Sequence, residues 1–406
     1  MALYKSSNAK EAAEIIGWAA AEKQTLEIVA GGTKRALGRA TKTDHVLDVS
    51  GLAGIVDYDP AELILTARPG TPLAEIEQAL DAKGQMLAFE PPDWRGLLSG
   101  EGEPTLGGAI ACNLSGPRRV RAGAARDYFL GFSAVSGFGE MWKAGGKVVK
   151  NVTGYDMCKL QAGAYGTLSV LTELTLKVMP KPEMACTILL NGSADEVAIP
   201  ALANALNTPL EVSAAAHLPA PVARRSKVSA VAAGLGAVTA LRLEGPRPSV
   251  EARANAIEAL LGHGVRLDEA ETQTFWKEIG SVHTLLDPGL RIVWRLNPTP
   301  SAAPALVQAI AGKYGSAEAY FDWGGGLVWL GLDAQDAGPD AGAAMVRGAA
   351  KQAGGYATLI AAPEQVRASI AVFEPAEGAL ASLAARIKRG FDPQGVLNPG
   401  RMHDGQ

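Results

Sequence analysis

The run TLGGAIACNLSGPRRVRAGAARDYFLG, Thr105 to Gly131, carries two kinds of information side by side. Up to Pro117 it is small, apolar and glycine-rich, so its main chain can lie close against a flat ligand with no side chains intervening. After Pro117 the charges arrive: Arg118, Arg119, Arg121 and Arg126 crowd beside one carboxylate, Asp127, in a segment with too much glycine for an ordinary helix face. The combination suits an anionic cofactor or substrate. Taken alone it is equally compatible with a surface loop of solvated arginines.

Working outward, LEIVAGGTKRALG (Leu26 to Gly38) reads as a strand of Leu26, Ile28 and Val29 running into a turn with paired glycines, Thr33 and Lys34. Consecutive N–H groups in such a turn can converge into an anion nest suited to phosphate oxygens, although a ligand-free turn has the same composition. Further on, Thr71 is the expected N-cap of a helix with Pro72 in its first position, Leu73, Ile76 and Leu80 on one face and Gly84 at its end. GQMLAFEPPDW (Gly84 to Trp94) is expected to be an apolar strand stopped by Pro91 and Pro92. Downstream of Gly131 the pattern is strand, turn, strand, a turn at Gly154 to Asp156, a short helix, and a long strand ending at Pro180. Glycine-rich turns at successive element ends point to one extended ligand cradled by main chain. Neither a GxxxxGK[ST] loop nor a GxGxxG fingerprint is present, since Trp142 follows Gly137 and Gly139 where the third glycine is required.

The chain as a whole bounds these readings. Its 406 residues favour two domains, and 38 basic against 42 acidic residues give no reason to expect a nucleic acid or an anionic membrane as partner. Cys112, Cys158 and Cys186 lie far apart, and the five histidines form no HxH or HxxxH pair, so no metal or iron–sulfur motif is expected. The N-terminus reads as an amphipathic helix, and Val228 to Leu241, the longest largely apolar run, is too short to span a bilayer. The expected place is the cytoplasm, with any membrane contact made through partners. From Cys186 onward, alanine-rich helices alternate with short strands in a βαβ-like rhythm, and Tyr320 to Leu332 reads as a hairpin turned by Gly324 to Gly326.

The ordered set AGGTKRALG, RPGTPLAEIEQAL, GQMLAFEPPDW, TLGGAIACNLSGPRR, GAARDYFLG and GGKVVKNVTGYDMCKLQAGAYGTLSVLTELTLKVMP, closed by FDPQGVLNPGRM (Phe391 to Met402), resembles the vanillyl-alcohol oxidase and p-cresol methylhydroxylase superfamily of flavoproteins. Within it, the likeness is to the FAD-binding E subunits of bacterial glycolate oxidase. The resemblance implies an α+β fold: a two-subdomain FAD-binding domain over residues 1–182, an α+β cap over 183–380, and a segment, 381–406, that returns to the FAD domain. Carried over by position, Gly31, Gly32, Thr33 and Lys34 would hold the diphosphate, joined by Pro69 and Gly70. Thr105, Gly107, Gly108, Ala111 and Asn113 would line the ribityl and isoalloxazine region, and Gly166, Thr167 and Val170 would complete the adenine end. Thr33 and Lys34 stand where relatives carry a flavin-linking histidine, and Cys112 lies in an apolar stretch, so FAD is expected to be non-covalent.

The implied function is that of a FAD subunit in a glycolate (2-hydroxy acid) oxidase complex, beside a second FAD subunit and an iron–sulfur subunit. A self-sufficient dehydrogenase of another small hydroxy acid such as D-lactate, and a non-catalytic assembly subunit, remain open alternatives. Such chemistry needs a cation for the substrate carboxylate and a base for the hydroxyl proton. The candidates are His283, in the WKEIGSVH stretch with Trp276, together with Arg295 and Arg126.

Overall fold

The computed structural model describes residues 1–147, 154–234, 236–286 and 290–405. Part of the expected strand and turn before Gly154, residues 148–153, lies outside them.

Three short strands, Ala2–Lys5, His45–Asp48 and Leu26–Val29, form a parallel sheet in that spatial order. Parallel neighbours need a crossover, and the helix Ala9–Ala21 supplies the first. Its Ala12, Ile16 and Ala19, spaced at the helical repeat, are buried against Leu26, Leu47 and Val49. The Asn8 side chain caps the helix by accepting from the Glu11 N–H, while the Glu11 carboxylate accepts from the Ser7 N–H.

The second subdomain is a five-stranded antiparallel sheet in the order Ile55–Asp59, Ile64–Ala67, Ser169–Lys177, Phe129–Ser136, Met141–Gly145. The helices Leu73–Asp81 and Leu106–Ala111 pack Leu73, Ile76, Leu80, Leu106, Ala109 and Ile110 into the same core as its inward-facing residues.

The cap begins with the strand Met184–Asn191 and is built on an eight-stranded sheet. Its order is Val265–Leu267, Met184–Asn191, Val238–Gly245, Ala214–Leu218, Glu318–Asp322, Leu327–Asp333, Leu290–Asn297, Tyr356–Ala361. Every pair is antiparallel, so the βαβ-like rhythm does not produce parallel crossovers. The helices Asp195–Leu206, Arg247–Leu261, Ala303–Ala311 and Ala343–Gln352 cover one face of this sheet. The other face packs on the helix Glu269–Ser281 and on Leu37, Trp94, Leu97, Leu98 and Leu114 of the first domain. The hairpin expected around Gly324 to Gly326 is present, with a 3₁₀ turn over Trp323–Gly325.

After the helix Gly378–Phe391 the chain re-enters the first domain, where Leu397 forms a parallel bridge beside Leu26. The buried Lys388 ammonium ties this return in place by donating to the Asp392 carboxylate and to the carbonyl oxygens of Thr167 and Leu397.

Three local expectations differ from the structure. The helix begins at Leu73 with Pro72 as its N-cap, and the Thr71 hydroxyl instead donates to the Arg68 carbonyl and accepts from the Gly54 N–H, fixing the preceding loop. Only Gln85–Met86 of GQMLAFEPPDW is a strand; Leu87, Ala88 and Phe89 are buried by their side chains without a ladder. The arginine stretch does coil, as the single turns Arg119–Ala122 and Ala125–Tyr128, separated by Gly123 at φ +89°.

Candidate cofactor cleft and domain junction

A cleft enclosing about 860 Å³, counted out to its open mouth, runs between the two subdomains of the first domain. Its floor is the turn that follows Leu26–Val29. None of the N–H groups of Gly31, Gly32, Thr33 and Lys34 has a protein acceptor among the described residues. Consecutive unpaired amides of this kind make a fixed patch of positive potential. The turn is held from behind: Arg35 pairs bidentately with Glu27 at 2.9 and 2.5 Å, and the Arg401 guanidinium donates to the Lys34 carbonyl at 2.6 Å. Gly32 sits at φ +73°, and a Cβ on Gly31 would lie 1.8 Å from the Glu103 carbonyl oxygen, so the turn needs glycine for two different reasons.

The Lys34 side chain lies along the cleft wall, buried, with its ammonium donating to Thr33 Oγ1 at 3.1 Å. Burial pushes the ammonium below its ordinary range, against the opposing pull of Cys112 and Asp93. Opposite stands the helix Leu106–Ala111, capped by Thr105, whose hydroxyl accepts from the Gly108 N–H. Gly107 lets this helix approach Pro69 closely: its N–H donates to the Pro69 carbonyl at 2.8 Å, and a Cβ there would come within 2.5 Å of the proline ring.

Of the cofactor residues expected from the sequence, Gly31, Gly32, Thr33, Lys34, Pro69, Thr105, Gly107, Gly108, Ala111, Gly166 and Val170 all line this cleft. Gly70, Asn113 and Thr167 stand behind its wall. Gly70 packs on the carbonyls of Val49, Ser50 and Leu52, Asn113 accepts the Arg126 N–H, and the Thr167 hydroxyl donates to the Ala164 carbonyl. Sequence reading missed Gln161, Tyr165, Asn398 and Arg401, which also line it. Gln161 accepts from Ser169 through Oε1 and leaves its buried Nε2 without a partner, a donor available to a ligand. Tyr165 holds φ +54°, an unusual conformation for an aromatic residue, with its carbonyl accepting from Asn398 Nδ2 and its ring edge-on to Phe373. Cys112 also faces the cleft, beside Lys34 and Arg401; burial raises its thiol despite both cations.

Beyond Tyr165 the cap closes on the arginine stretch. Arg295, on the strand Leu290–Asn297, has Tyr356, Tyr165 and Asp322 as its charged or titratable neighbours; burial pushes its guanidinium down, and its Nε has no partner. Arg126 is half-exposed, 4.0 Å from Asp127, and near enough to Arg119 to act on its charge. The structure therefore gathers Arg295, Arg119 and Arg126 at one junction. His283 stands apart, at the head of a 3₁₀ turn that packs against the helix Ala220–Ala223 and the end of Glu269–Ser281. It is neither in the cleft lining nor among the groups acting on Arg295.

A second ionic cluster locks the same junction. Glu90, from the first domain, accepts from the Arg242 guanidinium of the cap at 2.8 and 3.0 Å and from the Arg118 N–H at 2.8 Å, while the Arg118 side chain reaches Glu244 of the cap at 2.7 Å. Burial alone would raise the Glu90 carboxyl; Arg242 and Arg118 instead hold it at about 2. Among the described residues, no cluster of three His, Cys, Asp or Glu side chains could hold a metal ion, and no helix is long and apolar enough to cross a membrane.

The backbone-built cleft fits a long ligand with two phosphates and a flat ring, and comparison with known proteins agrees. The family described as FAD binding domain matches residues 2–145. The solved structure of p-cresol methylhydroxylase superposes with a TM-score of 0.67 at 14% identity, covering 99% of this chain and 88% of that one. Glycolate oxidase subunit GlcD of Bacillus subtilis is 30% identical over 62% of this chain and 53% of its own. Glycolate oxidase subunit GlcE of Escherichia coli is 36% identical over 390 residues, 96% of either chain. The fold is thus that of the p-cresol methylhydroxylase-type FAD proteins, and the chain belongs to the family of glycolate oxidase subunit GlcE.

Proposed function

We propose that this chain is the FAD-binding subunit of a complex that oxidises glycolate or a closely related 2-hydroxy acid, and that its cofactor lies non-covalently in the cleft between the two subdomains. The observation that carries the reading is the run of unpaired amides from Gly31 to Lys34 facing the buried Lys34 ammonium. Bound there, FAD would supply a two-electron acceptor for hydride. The chain's own residues do the rest. The four N–H groups and Lys34 bind the diphosphate, Arg401 keeps the turn rigid from behind, and Gly107 and Gly108 leave room for the ring along the helix Leu106–Ala111. Gln161 Nε2 offers a hydrogen bond to the polar rim of that ring.

The similarity to two subunits of glycolate oxidase, GlcE across its length and GlcD in part, supports a multi-subunit assembly. The three cysteines stand on separate elements, so an iron–sulfur partner and a second flavin subunit are the proposed route for electrons leaving this chain. Arg295 supplies the positive charge on the substrate side, with Arg126 at the same junction; His283, packed apart from both, is given no role.

Anaerobic addition of glycolate to the purified, FAD-loaded chain tests the assignment. Bleaching of the flavin band only after reconstitution with the partner subunits is the expected result. Full bleaching by the isolated chain would favour the self-sufficient dehydrogenase, and absence of flavin after gentle purification would favour an assembly role.

A further inference from the structure

Two guanidinium groups approach one indole at the domain junction. The Arg119 guanidinium carbon lies 4.6 Å from the Trp323 ring centroid and that of Arg295 lies 5.1 Å from it. Arg119 comes from the first domain, and Arg295 and Trp323 from the cap. The indole is itself pinned across the junction, since its Nε1 donates to the Gly116 carbonyl at 3.2 Å. The backbone there is unusual too: Trp323 holds φ +51°, and Asp322 Oδ1 accepts its N–H.

Neither guanidinium makes an ion pair or a side-chain hydrogen bond among the described residues, whereas their neighbours Arg118, Arg121 and Arg242 all do. Burial lowers both, and the charge of Arg295 lowers Arg119 further. Asp322 acts on Arg295 and Asp127 on Arg119, but neither forms an ion pair with them, and burial raises the Asp322 carboxyl to about 7, weakening its charge near neutral pH. Partly buried cations without partners lose solvation, and a cation–π contact returns a fraction of that cost. An anion that reached both guanidinium groups would offset this cost, and Arg295 is near enough to act on the charge of Arg119. A carboxylate matches that geometry, because each guanidinium can present two parallel N–H donors to its two oxygens. Tyr165, a wall residue of the cleft, lies within electrostatic reach of Arg295, so such an anion would sit beside the cleft's inner end.

We propose that Arg119 and Arg295, set around the Trp323 indole, form a carboxylate clamp that spans the two domains and takes the acid group of the substrate. The clamp rests on the reading of the neighbouring cleft as a flavin site. It makes binding of the acid contribute to holding the cap on the FAD domain. It also explains why Arg119, rather than the adjacent Arg118, is left without a carboxylate.

The test uses the FAD-loaded full chain and oxalate, a carboxylate with no hydrogen to transfer, titrated by calorimetry and by perturbation of the flavin absorbance. Arg119→Gln and Arg295→Gln are each expected to weaken oxalate at least about tenfold while flavin content stays full. Arg295→Lys is expected to recover only part of the affinity, since it restores charge without the fork. Arg121→Gln, at an exposed pair with Glu211, is expected to bind as the parent does. Unchanged oxalate affinity in both glutamine variants would overturn the clamp while leaving the cofactor reading intact. Inorganic phosphate binding as tightly as oxalate would overturn its carboxylate selectivity. A parent chain that carries no FAD would be the separate failure of the cleft reading.

Discussion

Arg118 and Arg119 are consecutive in sequence and meet opposite fates in the structure. Arg118 bonds to Glu90 and Glu244 and joins Arg242 in a closed ionic network between the domains. Arg119 lies over Trp323 near Arg295 and makes no ion pair among the described residues, Asp127 acting on it only at a distance. The first arrangement has its charges paired without a ligand, although Arg118 Nε itself has no partner, so it acts as a fastener. The second is incomplete, so it is available to one.

Each half of this contrast can be broken separately. The largest effect is expected at Glu90: its change to Ala removes both short carboxylate contacts of Arg242, whose side chain is 4% exposed, leaves it only the 3.6 Å approach of Glu244, and should cost about 3 kcal/mol in chemical denaturation. A pH profile follows from the same residue. Its folded-state value of about 2 lies below its ordinary 4.5, so the network's contribution is fully present above pH 4.5 and drains away as pH falls toward 2. Glu90→Gln should flatten that acid limb, and an unchanged limb would show that the network does not control acid stability.

Arg118→Gln is expected to cost less, about 1–3 kcal/mol, because Glu90 keeps Arg242 and Glu244 keeps a contact with it at 3.6 Å. Arg119→Gln should change stability by no more than about 0.5 kcal/mol, since it removes no pair and relieves repulsion with Arg295. Equal losses at 118 and 119 in the same denaturation experiment would erase the distinction between fastener and open site.

The sequence made the main-chain half of the molecule legible and the side-chain half much less so. Glycine turns announce themselves locally, which is why the runs holding Gly31 to Lys34, Gly107 and Gly108 read as possible ligand cradles from residue types, while their assignment to a cofactor site comes from the family resemblance. Thr71 stands one position before the observed N-cap, because a hydroxyl beside a proline can cap a helix or brace a loop, and only the tertiary position of Gly54 decides. Arg401 and Asn398 reach the cleft from the far end of the chain, and their only advance signal was the resemblance of FDPQGVLNPGRM to a closing segment. The separate fates of Arg118 and Arg119 depend on Glu244 and Arg295, residues distant in sequence that only the packed cap brings near. His283 looked eligible because histidine is a common base, but chemistry by residue type carries no address in the fold.

The central claim is that main chain, assisted by Lys34, binds a flavin dinucleotide between the subdomains. Gly108→Asp addresses it most directly: a Cβ at that position lies 3.3 Å from Thr105 Oγ1, which must yield slightly, and 3.6 Å from the Lys34 ammonium, so the new carboxylate engages that ammonium and repels phosphate. Measured by visible absorbance against protein concentration, flavin content is expected to be near one per chain in the parent and near zero in a variant of native circular dichroism. Full flavin content in the folded variant would contradict the placement of the cofactor.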